Sequence, residues 1–156
     1  MATNTRVMRC APEAVFQALS DAWLYPAWVV GAARMRDVEA DWPAERSKLH
    51  HSVGIWPFLI NGTTSMLEWN PPRRAVMQAR GWPLGEARVT VEAQATRDGC
   101  RVTIDEVAVR GAGAAVPRIF TDPVLKWRNN ETLRRLSYLA ENGAGGPRGP
   151  ISPAAS

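Results

Sequence analysis

Cysteine, histidine and lysine are scarce in this chain: two of each among 156 residues. Two cysteines exclude a disulfide scaffold, and two histidines without a cysteine cluster leave no basis for a structural zinc site. Nowhere does an apolar run approach the roughly 20 residues that a membrane helix needs. The start, Met1 to Arg6, has neither the basic n-region nor the apolar core of a signal peptide. Gly-rich phosphate loops, a G-x-S-x-G elbow and a Ser-His-Asp set are missing too. These absences point to a reduced, cytoplasmic protein with no cofactor, no bound metal and no membrane insertion.

What is present is a globular composition, 46% hydrophobic and 22% charged, on a length that suits one domain. Seven tryptophans stand beside three phenylalanines and two tyrosines, and seventeen arginines beside the two lysines. The pI of about 9.7 invites a nucleic-acid reading. However, the net charge is only +4, and acidic residues separate nearly all the arginines except Arg73-Arg74 and Arg134-Arg135. A nucleic-acid surface needs a contiguous basic stripe, so no nucleic-acid partner is expected.

The periodicity of the chain predicts a strand over 4–10, then a helix opened by Ala11-Pro12-Glu13, with proline and an acid favourable in its first turn. A second short helix runs from Ala22 to Val30, bent by Pro26 and stopped by Gly31. Strand patterns follow at 34–39, 48–53, 63–69, 74–80, 87–96 and 100–109, the last two joined by Arg97-Asp98-Gly99. A long helix starts at Asp122-Pro123 and ends at Asn142-Gly143. Residues 1–142 are thus the domain, and 143–156, with four glycines and three prolines, a disordered tail. Antiparallel strands between helices make an α+β fold in which the long helix covers one sheet face.

With these elements the chain resembles the SRPBCC superfamily, the START-like or Bet v 1-like helix-grip proteins, in its polyketide cyclase/dehydrase-like branch. The resemblance rests on Ala11-Pro-Glu-Ala-Val-Phe-Gln-Ala-Leu19, Ser20-Asp21, Trp28, Trp69-Asn-Pro-Pro-Arg73 and Gly99-Cys-Arg-Val-Thr-Ile104. It implies a curved seven-stranded antiparallel sheet wrapped around the long C-terminal helix, with two short helices after the first strand. It also implies a cavity between sheet and helix for a small hydrophobic ligand, lipid-like or polycyclic aromatic, or the use of that cavity by a cyclase or dehydratase. Trp23 and Trp28 would flank the entrance, with Tyr25 between them. Cys10 and Cys100 would lie on neighbouring strands as free thiols.

Several residues then become candidates. On the long helix, 100° steps put Leu125, Asn129, Thr132, Leu133, Leu136, Leu139 and Ala140 on one face. Asn129 and Thr132 interrupt this apolar stripe, either as ligand contacts or as caps on a sheet carbonyl or water. Leu136 would line the same cavity. In the last strand Glu106 falls on the face of Cys100, Val102 and Ile104. Buried without a cation, it would serve as a general acid or base; met by an arginine, with Arg80 the candidate, it would be an ion pair; a bulge at Asp105-Glu106 would turn it outward. His51 alternates inward with Leu49 and Val53 while His50 faces out, making His51 either a hydrogen-bonded core residue or a second catalytic candidate. Trp127 and Tyr138 fall opposite the helix stripe, where they would suit a weak homodimer on an otherwise monomeric protein.

Overall fold

The computed structural model describes residues 2–55, 57–81, 85–111, 115 and 118–145. Its elements are β1 (Ala2–Met8), α1 (Pro12–Ser20), a 3-10 turn (Ala22–Leu24), α2 (Tyr25–Trp28), β2 (Ala32–Val38), β3 (Lys48–Ile55), β4 (Phe58–Asn70), β5 (Arg74–Gly81), β6 (Gly85–Thr96), β7 (Gly99–Arg110) and α3 (Arg118–Glu141). The strands form one antiparallel sheet in the order β1-β7-β6-β5-β4-β3-β2. Hairpins join successive strands from β2 to β7, and the first strand closes the order by pairing with the last. Register shifts in the β2–β3, β4–β5 and β6–β7 ladders each place an extra residue on one strand. Bulges of this kind bend the strand that carries them, and here they curve the sheet around α3.

Alternation fixes which face is inside. Met8, Leu49, Met66, Ala75, Met77, Val91, Val102 and Ile104 are buried, as are Leu133, Leu136 and Ala140 of α3. Phe16 of α1 packs against Trp69 with ring centroids 5.4 Å apart, closing one end of the core. Asn4 ties the edge strand to the helix, its Nδ2 donating to the Lys126 carbonyl at 3.0 Å and to Asn130 Oδ1 at 2.7 Å. The helix stripe read from the sequence is the buried one, with Asn129 and Thr132 inside it.

Several boundaries differ from the sequence reading, most of all that of β4, which begins at Phe58 rather than 63 and so forms a hairpin with β3 up to Ile55. β1 occupies 2–8 rather than 4–10, because Met8 pairs with Cys100 and the chain then turns into α1, leaving Cys10 outside the strand. The β6–β7 turn is Arg97-Asp98 alone, with Gly99 paired to Thr96. Gly99 is needed there because a Cβ would collide with the Met8 carbonyl. α3 begins at Arg118, so Pro123 lies inside it instead of opening it. A proline beyond the first turn removes one helical hydrogen bond, which the packing of the long helix must outweigh. Of the expected tail, residues 146–156 lie outside the described residues, as do Trp56 and Trp82.

Candidate functional site

A small cavity of about 40 Å³ lies between α3 and the inner face of the sheet. Val29, Met77, Ala79, Val89 and Ile104 give it an apolar wall. Its polar groups come from α2 (Tyr25, Trp28), β4 (Thr64), β7 (Glu106) and α3 (Arg128, Asn129, Thr132). Forty cubic ångströms hold a water molecule or two, far short of the roughly 300 Å³ at which drug-sized ligand sites begin. The grip is therefore closed, and any larger occupant must part the helices from the sheet. A second, roomier hollow of about 1040 Å³ runs between Arg9–Glu13 and the two hairpin turns near Pro72 and Asp98. It is an open trough at the surface, and none of the polar residues just named reaches it.

The β6–β7 ladder is unbroken from Ala87 to Thr96, Val89 facing Glu106, so no bulge turns Glu106 outward. Glu106 is 4% exposed. Both of its carboxylate oxygens meet Arg128 Nη2, which makes a half-buried ion pair at the cavity, the carboxylate buried and the guanidinium partly exposed. The cation is Arg128, and the expected partner Arg80 is placed elsewhere. Ala75, Met77 and Ala79 take the inner face of β5, which sends Arg80 to the outer face, 3.2 Å from Glu86. A sequence wheel puts Arg128 one step from Asn129 on the edge of the polar gap in the stripe, which was the available signal for it.

Next to this pair runs a buried chain of three groups. Tyr25 Oη lies 3.0 Å from Thr64 Oγ1, which lies 3.0 Å from His51 Nε2. The Tyr25 ring also leans on His51 at 5.0 Å and on Trp28 at 5.4 Å. Gly62 makes room for this, since a Cβ there would sit 2.9 Å from His51 Cε1. Burial, reinforced by Arg36 and His50, pushes the His51 imidazole down to about 4, so it is neutral at pH 7. Burial also raises the Tyr25 phenol above its ordinary value, keeping it protonated. Thr64 was not singled out in the sequence, although the inward alternation Gly62, Thr64, Met66 marks it as a polar residue on a core face.

Three buried atoms in this region have no hydrogen-bond partner among the described residues: Trp28 Nε1, Asn129 Nδ2 and His51 Nδ1. Thr132, by contrast, accepts the Val30 N–H at 3.4 Å. The structure thus brings together Tyr25, Trp28, Glu106, Asn129 and Thr132, with His51 one hydrogen bond behind Thr64. Leu136 is wholly buried in the core but does not line the cavity, and Trp23 is 59% exposed beside Trp42 in a separate shallow groove. Outside the cavity, Trp127 and Tyr138 stand exposed on the back of α3. Cys10 and Cys100 are free and adjacent, with burial the main cause pushing the Cys100 thiol up to about 12.

A family model described as polyketide cyclase / dehydrase and lipid transport matches residues 2–141. The chain belongs to this family. No curated protein matches the sequence of this polyketide cyclase/dehydrase family member. Solved structures do share its fold. A protein from Nitrosomonas europaea superposes with a TM-score of 0.70 at 14% identity, covering 90% of this chain and 93% of that one. One from Rhodobacter sphaeroides gives 0.69 at 19% identity, covering 90% and 91%. The di-domain aromatase/cyclase StfQ of the steffimycin biosynthetic pathway gives 0.70 at 16% identity, covering 90% of this chain and 50% of StfQ. Among the described residues of this family member, no helix is long and apolar enough to cross a membrane, and no cluster of three metal-ligating side chains occurs.

Proposed function

We propose that this protein binds a small hydrophobic ligand, lipid-like or polycyclic aromatic, in the cavity between the sheet and α3. The observation that carries the reading is the set of unpartnered polar atoms, Trp28 Nε1 and Asn129 Nδ2 above all, in residues that line an otherwise apolar wall. Leaving a buried donor unsatisfied costs about 1–3 kcal/mol, and a ligand oxygen placed between the two would recover that cost. Each ångström squared of apolar ligand surface buried would add roughly 25 cal/mol. Tyr25, Trp28, Asn129 and Thr132 are the contacts, the Glu106–Arg128 pair forms the polar end, and His51 supports Tyr25 through Thr64. The closed volume means that binding is coupled to a shift of α2 or α3.

Native mass spectrometry with organic extraction, on protein purified from its own host, tests this. A co-purifying apolar molecule displaced from Asn129→Leu supports it. Protein that carries none, and whose melting temperature no fatty acid or polycyclic aromatic ketone raises, overturns it.

One observation favours a second reading, a cyclase or dehydratase acting in the same cavity. The Tyr25–Thr64–His51 chain ends in a neutral imidazole that can take up a proton, and Glu106 lies across from it. Folding of a poly-ketone chain would come from the cavity shape, and proton transfer from His51 or Glu106. A pH–rate profile unchanged in Glu106→Gln would remove Glu106 from that role.

A further inference from the structure

The β3–β4 hairpin inverts the usual arrangement of apolar side chains. Ile55 and Phe58 pair across its tip, and each is 84% exposed. Leu59 beside them is 37% exposed, and the sequence from Gly54 to Ile60 carries no charge. The tip is a built feature, because Gly54 adopts φ +123° and a Cβ there would strike the Phe58 carbonyl. Pairing of β4 with β5 begins only at Gly62, and that of β3 with β2 ends at Val53. Beyond the Gly54 N–H, which donates to the Gly31 carbonyl at 3.0 Å, Ile55 and Phe58 to Asn61 have no partner on β2 or β5 among the described residues.

Behind the tip, on β2, are Arg34 and Arg36, both exposed and neither ion-paired with a described residue. Arg34 lies opposite Ser52, three residues back from Ile55, which is about 10 Å along a strand. From these placements we infer that the hairpin tip inserts Ile55 and Phe58 into the surface of a bilayer containing anionic phospholipid, with Arg34 meeting the lipid phosphates and Arg36, in the bulge opposite His51 and His50, adding attraction from farther back. An apolar wedge reaches about 5–10 Å into the headgroup and acyl boundary, which leaves a guanidinium about 10 Å behind it at the phosphate level. Three exposed apolar side chains suit a fluid acceptor better than a protein, whose interface would need about 800 Å² of matched surface on each side. The net charge of +4 favours the same partner.

This docking does not depend on the cavity being filled, so it is tested on the full chain without ligand. The readout is flotation with vesicles of phosphatidylcholine and phosphatidylglycerol in equal amounts. The wild type is expected to float, and Ile55→Asp/Phe58→Asp to lose at least about tenfold in partitioning. Arg34→Glu/Arg36→Glu should weaken binding to these vesicles at low salt and lose that effect at high salt. Trp127→Ala, which removes an exposed aromatic ring elsewhere, should float like the wild type. Should the double tip variant fail to fold, Phe58→Ser gives the same reading with a smaller loss. A wild type that stays off the vesicles overturns the inference, whatever protein it then binds. So does a folded tip variant that floats undiminished. Ligand capture without flotation would separate failure here from failure of the proposed function.

Discussion

The cavity under α3 and the tip of the β3–β4 hairpin are opposite departures from the same rule. In the first, polar atoms of Trp28, Asn129 and His51 are buried without partners. In the second, Ile55 and Phe58 face water with most of their surface. Each would be a defect if the isolated chain were the whole system. Unsatisfied buried donors and exposed apolar tips both cost free energy that a binding partner removes. The contrast teaches that the two regions want different partners: one a ligand with an acceptor atom, the other a surface with no shape of its own.

Substitutions can separate these regions. The largest effect is expected at the ion pair. Arg128→Met leaves Glu106 buried without its cation and should lower stability by about 3 kcal/mol, the range for a broken buried pair reduced because Arg128 is partly solvated. Urea unfolding of the single variants and of Glu106→Gln/Arg128→Met checks this, with the double variant recovering most of the loss.

A pH effect should come next. His51 titrates near 4 in the folded protein and near 6.5 when unfolded. Between these values the unfolded chain binds the extra proton, so stability is full above about pH 6.5 and falls as the pH drops toward 4. The loss should approach about 3 kcal/mol across that window, and His51→Gln should flatten the melting temperature over it. A slope that persists in the variant would assign the effect to another group.

Asn129→Leu sharpens the comparison directly. It removes an unpartnered amide, so the free protein should be unchanged or stabilised by up to about 1 kcal/mol, while ligand binding weakens. If thermal melts show a clear loss of stability instead, Asn129 has a structural partner and the cavity reading loses its main support. At the tip, Phe58→Ser should leave stability within about 0.5 kcal/mol, as for other surface sites, since no described core residue depends on it. A larger drop would mean that the tip packs against its own protein.

Much of this was legible beforehand because it rests on local periodicity. Alternation in β7 put Glu106 inward, alternation in β3 put His51 inward, and 100° steps on α3 put Asn129 and Thr132 in the buried stripe. The face of Arg80 stayed open because its strand carries bulky apolar residues on both sides, Val76 and Met77; the register opposite Glu86 puts Arg80 on the outer face. Arg128 was missed because a long side chain at the edge of a stripe turns inward only when an acid on another element draws it. Thr64 needed the same kind of information, since its role depends on Tyr25 and His51, 39 residues before it and 13 before it in the chain.

The sequence by itself determined the element order, the inward faces of β3 and β7 and the polar gap in the α3 stripe, because these follow from periods of two and 3.6 residues acting over short distances. Only the tertiary structure decided that Glu106 meets Arg128, that the cavity is nearly shut, and that Ile55 and Phe58 stand exposed at the hairpin tip. Those outcomes depend on strand register and on how closely the helix settles on a curved sheet, and both are set by contacts between residues far apart in the chain.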